Sequence, residues 1–383
     1  MKICLLGLNN LSVLAPEYQD RTVGGEPVQQ TLLARAFARR GHEVSMVVAD
    51  LGQADGARYG GIRTFKAYRP DAGVPVLRFI HPRWSRLWSA LARADADVYY
   101  TSCAGMEVGL LALFCRYFGK RFVFRSASDA DCDKSRLLVS HARDRWLYAY
   151  GLRRADAILV QSAAQADTLL RSYGLASRVA GMLVEPAQSA PTRDLDVLWV
   201  GNIRRLKRPD RILEIAAQLP QFNFHMVGGA LPGEQALYEQ VRRAASARPN
   251  LTFHGPLSYR ATNELYGRAK LLLNTSEVEG FPNTYLQAWI RGVPVVTLID
   301  PDRVIERERL GAVAGAPEQL AGIIGKFLHS RAEWQAAIDR CRQYMAREFG
   351  EDRILPVYLD TFGKLSRRVL RARLIRPRQA PRA

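Results

Sequence analysis

The chain has 383 residues, 48% hydrophobic and 24% charged, a length for about two or three domains and a composition that excludes disordered and collagen-like chains. Its 55 Lys+Arg against 37 Asp+Glu leave a net +18, which favours an anionic partner such as nucleic acid, an acidic membrane surface or a phosphorylated substrate.

The first apolar run, Lys2–Leu8, predicts a buried strand with Gly7 near its end. A polar loop holding Asn9, Asn10 and the pair Gly24-Gly25 leads into a helix predicted over Val28–Arg40. Further short apolar runs follow at Glu43–Ala49, Val98–Tyr100, Arg121–Phe124 and Ala157–Val160, alternating with amphipathic stretches. Residues 185–193 have the Pro, Ser and Ala content of a linker. The second half opens as the first does: Asp196–Val200 ends at Gly201, and a polar loop precedes a helix predicted over Asp210–Gln218. Strands are then predicted at Asn223–Val227, Leu271–Asn274 and Pro294–Leu298. Buried strands alternating with helices indicate parallel α/β architecture, read here as two Rossmann-like domains with an interdomain cleft. The expected division is 1–190, 194–355, and 356–383 as a helix returning to the first domain plus a basic tail.

Charge is unevenly spread along this plan. Residues 1–193 carry 26 basic and 17 acidic side chains, residues 194–360 carry 21 and 20, and the last 23 carry eight and none. The five cysteines are scattered without C-x-x-C spacing, which argues against a disulfide framework or zinc knuckle and for buried, reduced thiols. No apolar run approaches the roughly 18 residues of a membrane span, and the opening run is too short for a signal peptide. A cytoplasmic protein is expected, with peripheral contact at the inner face of the plasma membrane.

The densest chemistry lies in Asn274-Thr-Ser-Glu-Val-Glu-Gly-Phe-Pro-Asn-Thr-Tyr-Leu-Gln-Ala-Trp-Ile-Arg-Gly-Val-Pro-Val-Val296. A strand runs into a loop with Glu279, Gly280 and Phe281, and a helix is predicted to begin near Pro282. The N–H groups of Asn283 and Thr284 then precede the helical ladder, where the helix dipole favours an anion such as phosphate. Glu279 stands just before that anion position and Gln287 about one turn into the helix. Absence of G-x-S-x-G and G-x-x-x-x-G-K-[ST] argues against a serine hydrolase and a P-loop NTPase.

This stretch resembles the retaining family 4 glycosyltransferases, whose signature is an E-x7-E pattern followed by Gly-x-Pro-Val-Val. Glu279, Gly280, Phe281, Gly292, Pro294, Val295 and Val296 match; Gln287 stands at the second Glu and Pro282 at a Gly. Val200-Gly-Asn-Ile-Arg-Arg-Leu-Lys207 resembles the family's Gly-Arg-x-x-x-x-Lys loop, with Lys207 matching and Asn202 at the Arg position. Gly24-Gly25 with the following helix and Gly41-His-Glu-Val resembles the family's N-terminal glycine-rich loop. The resemblance implies the GT-B fold, a nucleotide-sugar donor as substrate, no cofactor and no metal. It also implies site residues: Lys207 with Arg204 or Arg205 on the donor diphosphate, Glu279 on the transferred sugar, Gln287 on the ribose. Gly24, Gly25, Gly280, Phe281, Asn283 and Thr284 complete the donor set.

Where many family members carry a His after the strand at Arg121–Phe124, this chain reads Arg125-Ser-Ala-Ser-Asp-Ala-Asp. Asp129 or Asp131 is therefore a candidate contact to donor or acceptor, against the alternative of a polar loop capping a helix. The family's acceptor faces the first domain, where the basic excess lies, so a lipid-linked or saccharide acceptor at an anionic membrane is expected. Trp84 and Trp88 beside Arg83 and Arg86, and a face of Phe362, Leu365 and Val369 in the basic tail, are the candidate membrane contacts. The expected activity is retaining transfer to a growing polysaccharide, of the exopolysaccharide or lipopolysaccharide kind. Two other readings stay open: an epimerase or phosphorylase on the same fold, and a non-catalytic nucleic-acid-binding protein. The latter is opposed by the near-neutral 194–360 segment.

Overall fold

The computed structural model describes residues 1–18, 24–75, 77–187, 192–231 and 233–375. The chain forms two units, the first from residues 1–14, 30–181 and 352 onward, the second from residues 15–29 and 182–351.

The first unit is an eight-stranded sheet of β1 (Lys2–Leu6), β2 (Glu43–Val48), β3 (Arg58–Tyr59), β4 (Ile62–Lys66), β5 (Val98–Ser102), β6 (Arg121–Arg125), β7 (Ala157–Val160) and β8 (Arg178–Val179). The order is β3-β4-β2-β1-β5-β6-β7-β8, parallel except for the β3–β4 pair. Continuous apolar runs such as Ile3–Leu6 are buried residue by residue, because helices cover both faces of a parallel sheet. Chain direction along the order reverses between β1 and β5, the point where open α/β sheets place their ligand crevice.

The second unit holds β9 (Leu195–Val200), β10 (Phe224–Val227), β11 (Leu251–Gly255), β12 (Ala269–Asn274), β13 (Val295–Thr297) and β14 (Gly311–Val313), all parallel, in the order β11-β10-β9-β12-β13-β14. Alternate side chains feed two cores: Val197, Trp199, Leu271 and Leu273 on one face, Leu195, Leu198 and Leu272 on the other. Its switch point lies between β9 and β12, which pair through Leu271↔Val197.

The parallel α/β expectation is met in both units. Strands that the sequence did not announce, β3, β4, β8, β11 and β14, lie at or next to the sheet ends. There one face meets solvent and alternation or brevity replaces a continuous apolar run, as in Ile-Arg-Thr-Phe-Lys of β4. The helix Gly25–Arg39 starts three residues before the predicted Val28. Its first turn, with the loop from Ala15, belongs to the second unit, whereas the sequence division placed it in the first domain.

The C-terminal helix Glu351–Ile375 corrects one expectation. Phe362 is fully buried in the first unit, its ring 5.1 Å from that of Phe37 and 5.9 Å from that of Tyr100, and Leu365 is buried beside it. Those two residues are core contacts, not an exposed membrane face; the side chain of Val369 and the tail from residue 376 lie outside the described residues. Cys4, Cys115, Cys132 and Cys341 are buried free thiols as expected, while Cys103 is exposed at the end of β5. No helix among the described residues is long and apolar enough to cross a membrane.

Candidate functional site

At the switch point of the second unit, two loops leave the carboxyl ends of adjacent strands. The loop after β9 carries Arg204, Arg205 and Lys207; the loop after β12 carries Ser276 and Glu279. They are stitched by Thr275, which is fully buried: its hydroxyl lies 2.7 Å from the Lys207 carbonyl and 3.0 Å from that of Arg208, and accepts from Trp199 Nε1 at 2.9 Å. The Glu277 N–H donates to the Leu206 carbonyl at 2.9 Å. Arg208 closes the outer edge on Asp210 and Glu277, and these carboxylates raise its pKa.

This scaffold brings Lys207 and Glu279 together. Lys207 Nζ donates to Glu279 Oε1, the same oxygen that accepts from Ser276 Oγ at 2.7 Å. Both side chains are mostly buried, 18% and 12% exposed. Arg204 lies beside the turn with a buried, unpartnered Nε, and Arg205 is exposed. A carboxylate and an ammonium joined at the mouth of a switch point suit a ligand with hydroxyls and negative charge, since each partner can exchange the other for the ligand.

The helix after this loop is Asn283–Trp289, with Pro282 at its cap rather than inside its first turn. The first bond of the ladder runs from the Tyr285 N–H to the Pro282 carbonyl, so the N–H groups of Asn283 and Thr284 precede it, as expected. Asn283 Oδ1 accepts from Gln29 Nε2 at 2.6 Å, and Gln29 also bonds both backbone groups of Leu183. This packing explains one glycine: a Cβ on Gly25 would stand 2.3 Å from Asn283 Nδ2, while one on Gly24 would meet nothing closer than 3.7 Å. The Phe281 ring packs on Trp289 and Phe349, which anchors the loop next to buried Gly280. Gln287 is buried and held at both ends: its Nε2 donates to Tyr259 at 3.0 Å and its Oε1 accepts from Arg291 at 3.0 Å. Past the helix end, Gly292 turns the chain at a φ of +67°, where a Cβ would be strained and would stand 2.9 Å from Ile338.

In the first unit, Asp129 and Asp131 follow β6 but have separate surroundings. Asp131 is buried and accepts from the N–H groups of Ala127 and Ser128 and the Ser128 hydroxyl, closing its own turn; burial raises its pKa. Asp129 accepts from Gln165 Nε2 at 2.9 Å and lines an open polar pocket with Asp133, Arg136, Thr168 and Arg171. Among the described residues, no three His, Cys, Asp or Glu side chains converge as a metal site would require.

Sequence reasoning missed Trp199, Thr275, Ser276, Arg208 and Tyr259. The polar pair Thr-Ser at a strand end signalled its loop; nothing local distinguishes Trp199 from a core residue.

Residues 23–180 match the family described as Glycosyltransferase Family 4, and residues 194–330 match Glycosyl transferases group 1, together more than half of the chain. An alpha-galactosylglucosyldiacylglycerol synthase of Streptococcus pneumoniae is 29% identical over 171 residues, covering 44% of this chain and 45% of that protein. A D-inositol 3-phosphate glycosyltransferase of Mycobacterium tuberculosis is 31% identical over 161 residues, covering 40% and 30%. The chain thus spans less than half the length of these curated relatives. Among solved structures, a sucrose-phosphate synthase of Thermosynechococcus elongatus superposes with a TM-score of 0.75 at 19% identity, covering 97% of this chain and 99% of the other. HepE of Anabaena, in complex with UDP and glucose, gives 0.73 at 16% identity, covering 95% and 99%. With two parallel-sheet units, a switch-point loop pair carrying the expected Lys and Glu, and these matches, the chain belongs to the glycosyltransferases of the GT-B fold.

Proposed function

We propose that the protein transfers a sugar from a nucleotide-sugar to a lipid-linked or saccharide acceptor, with retention at the anomeric carbon. The observation that carries this reading is the Lys207–Glu279 pair at the β9/β12 switch point. When donor enters, Lys207 turns from Glu279 to the diphosphate, with Arg204 or Arg205 as the second cation. The clamp stabilises the charge that develops on the leaving nucleoside diphosphate, so side chains do the work of a metal. Glu279, released from Lys207 and still held by Ser276, accepts hydroxyls of the transferred sugar. The Asn283 and Thr284 N–H groups face the donor phosphate. Gln287 Oε1 keeps one lone pair beside Arg291 for a ribose hydroxyl. Asp129, rather than the inward-turned Asp131, is the acceptor-side candidate, since its pocket is open. No residue is assigned as a covalent nucleophile.

The diacylglycerol-based name of the pneumococcal relative supports a lipid-linked acceptor, and with it peripheral contact with an anionic membrane. A role in polysaccharide assembly, of the exopolysaccharide or lipopolysaccharide kind, is carried over from the resemblance drawn in the sequence. A thermal-shift series with UDP-, GDP-, ADP- and CMP-sugars tests the donor: one should stabilise the chain, and failure of all removes the reading. Release of nucleoside diphosphate only after acceptor is added separates transfer from epimerisation. Full turnover by Glu279→Ala would overturn the site assignment. Proton NMR of the product linkage reads retention directly.

A further inference from the structure

The first unit carries an apolar surface that its own core does not use. Val74, Leu77 and Ile80 are 66%, 62% and 63% exposed, and Tyr117 and Phe118 are 75% and 46% exposed. These positions belong to one surface because a chain of ring contacts joins them. Phe79 lies 5.9 Å from Trp84, Trp84 lies 5.7 Å from Trp88, and Trp88 lies 6.1 Å from Tyr117 and 6.3 Å from Phe118. The two indoles are half-buried and form the floor; Trp88 is anchored by its Nε1, which donates to the Leu110 carbonyl at 3.1 Å. The aliphatic side chains of Val74, Leu77 and Ile80 stay about two-thirds exposed. Soluble proteins leave such contiguous apolar area uncovered chiefly where something docks.

The exposed charge around it that has no carboxylate partner is positive. Residues 72–94 hold Arg78, Arg83, Arg86 and Arg93, and residues 108–128 hold Arg116, Lys120, Arg121 and Arg125; Arg93, Lys120 and Arg121 pair with Asp55, Asp95 and Asp156, and Arg125 is buried. Arg78, Arg86 and Arg116 are exposed, and the Arg143 guanidinium covers the Phe79 ring at 3.8 Å. One turn along from Arg143, Trp146 is 63% exposed and stacked on Tyr150. A protein partner that matched this surface would need acidic side chains at its rim and apolar ones at its centre. A bilayer with anionic headgroups offers both at once: arginines meet phosphates, indole and phenol rings sit at headgroup depth, and Leu77 and Ile80 reach the acyl boundary.

We infer that this surface, and not the C-terminal helix, seats the first unit on an anionic lipid bilayer. The inference rests on the membrane-facing part of the proposed function and names the residues that make the contact.

The test is co-sedimentation of the full chain with vesicles of phosphatidylcholine alone or containing about one-third phosphatidylglycerol, with no donor present. The wild type should bind the anionic vesicles and be released at about 0.5 M salt. The exposed-residue variant Leu77→Ser/Ile80→Ser/Tyr117→Ser should lose binding at least roughly tenfold while keeping the wild-type circular dichroism, as should Arg78→Glu/Arg86→Glu. A third variant neutralises Arg376, Arg378 and Arg382 to Gln and should still bind. The inference fails if wild type does not prefer anionic vesicles, or if the surface variants bind as wild type does. It fails too if the tail variant alone releases the protein, or if the wild type is a dimer that the serine variant turns into monomer. Because donor is absent, these outcomes are independent of the nucleotide-sugar result: donor binding that fails beside intact vesicle binding removes the transferase reading alone.

Discussion

Replacing Lys207 by Met separates what the Lys207–Glu279 pair does for stability from what it does for ligand. In the folded chain the pair is mostly buried, 18% and 12% exposed, and Glu279 keeps a hydrogen bond from Ser276. Removing the lysine leaves a carboxylate in that setting with one neutral donor. Breaking a fully buried pair from one side costs about 3–5 kcal/mol; the residual exposure and the Ser276 bond bring the expectation to about 2–3 kcal/mol. Lys207→Met/Glu279→Gln removes the stranded charge as well, so it should recover at least about half of the loss. Activity should move differently. Loss of a cation aimed at the leaving diphosphate costs about 10²–10³ in kcat, and the double variant restores none of it. The measurements are urea denaturation of wild type, both single variants and the double variant, beside turnover with the donor found by thermal shift. A double variant as unstable as Lys207→Met would refute the stranded-charge argument. Equal turnover by Lys207→Met and wild type would remove Lys207 from the donor site.

Three further outcomes follow from other contacts. Thr275→Val keeps the shape but breaks the links from the β12 loop to Trp199, Lys207 and Arg208; it should cost about 1–3 kcal/mol and raise the donor KM more than it lowers kcat, read by steady-state kinetics. Gly292→Ala places a Cβ 2.9 Å from Ile338 at a φ of +67°, so a loss of about 2 kcal/mol is expected in thermal unfolding; a variant as stable as wild type would show that the helix ends differently. His225 and His254 stack with Nδ1 and Nε2 3.0 Å apart, and burial lowers both pKa values below 6.5, with Arg268 adding to the effect and Asp194 and Asp196 opposing it at His225. Below that pH the unfolded chain binds protons that the folded pair refuses, so stability should fall as pH drops from about 7.5 to 5.5. His225→Gln should flatten that slope in urea midpoints; an unchanged slope would place its origin elsewhere.

The switch-point chemistry was legible because its carriers are local. Glu279 lies five residues beyond a strand end, Lys207 seven beyond another, and both strands hold continuous apolar runs, Val197–Val200 and Leu271–Leu273, whose class needs no partner to be inferred. That the two side chains bond one another was not legible, because β9 and β12 become neighbours only when the chain crosses back past β10 and β11.

The same divide explains the membrane expectations. A stripe of Phe362 and Leu365 between arginines has one sequence pattern whether it faces lipid or its own core; the fold seats it on Phe37 and Tyr100. The exposed apolar surface instead forms where the loop around Leu77 and Ile80 and the helix end at Tyr117 and Phe118 meet across Trp84 and Trp88. By itself, then, the amino-acid order determined the buried central strands of both sheets, where the charge lies along the chain, and which loop holds the Glu and which the Lys. Periodicity and composition act over a few residues and need no tertiary partner. Only the tertiary structure decided which polar side chains meet, which amphipathic stripe is covered and which aromatic residues remain at the surface. Those outcomes depend on contacts between residues far apart in the chain, and burial is a property of the pair, not of either member.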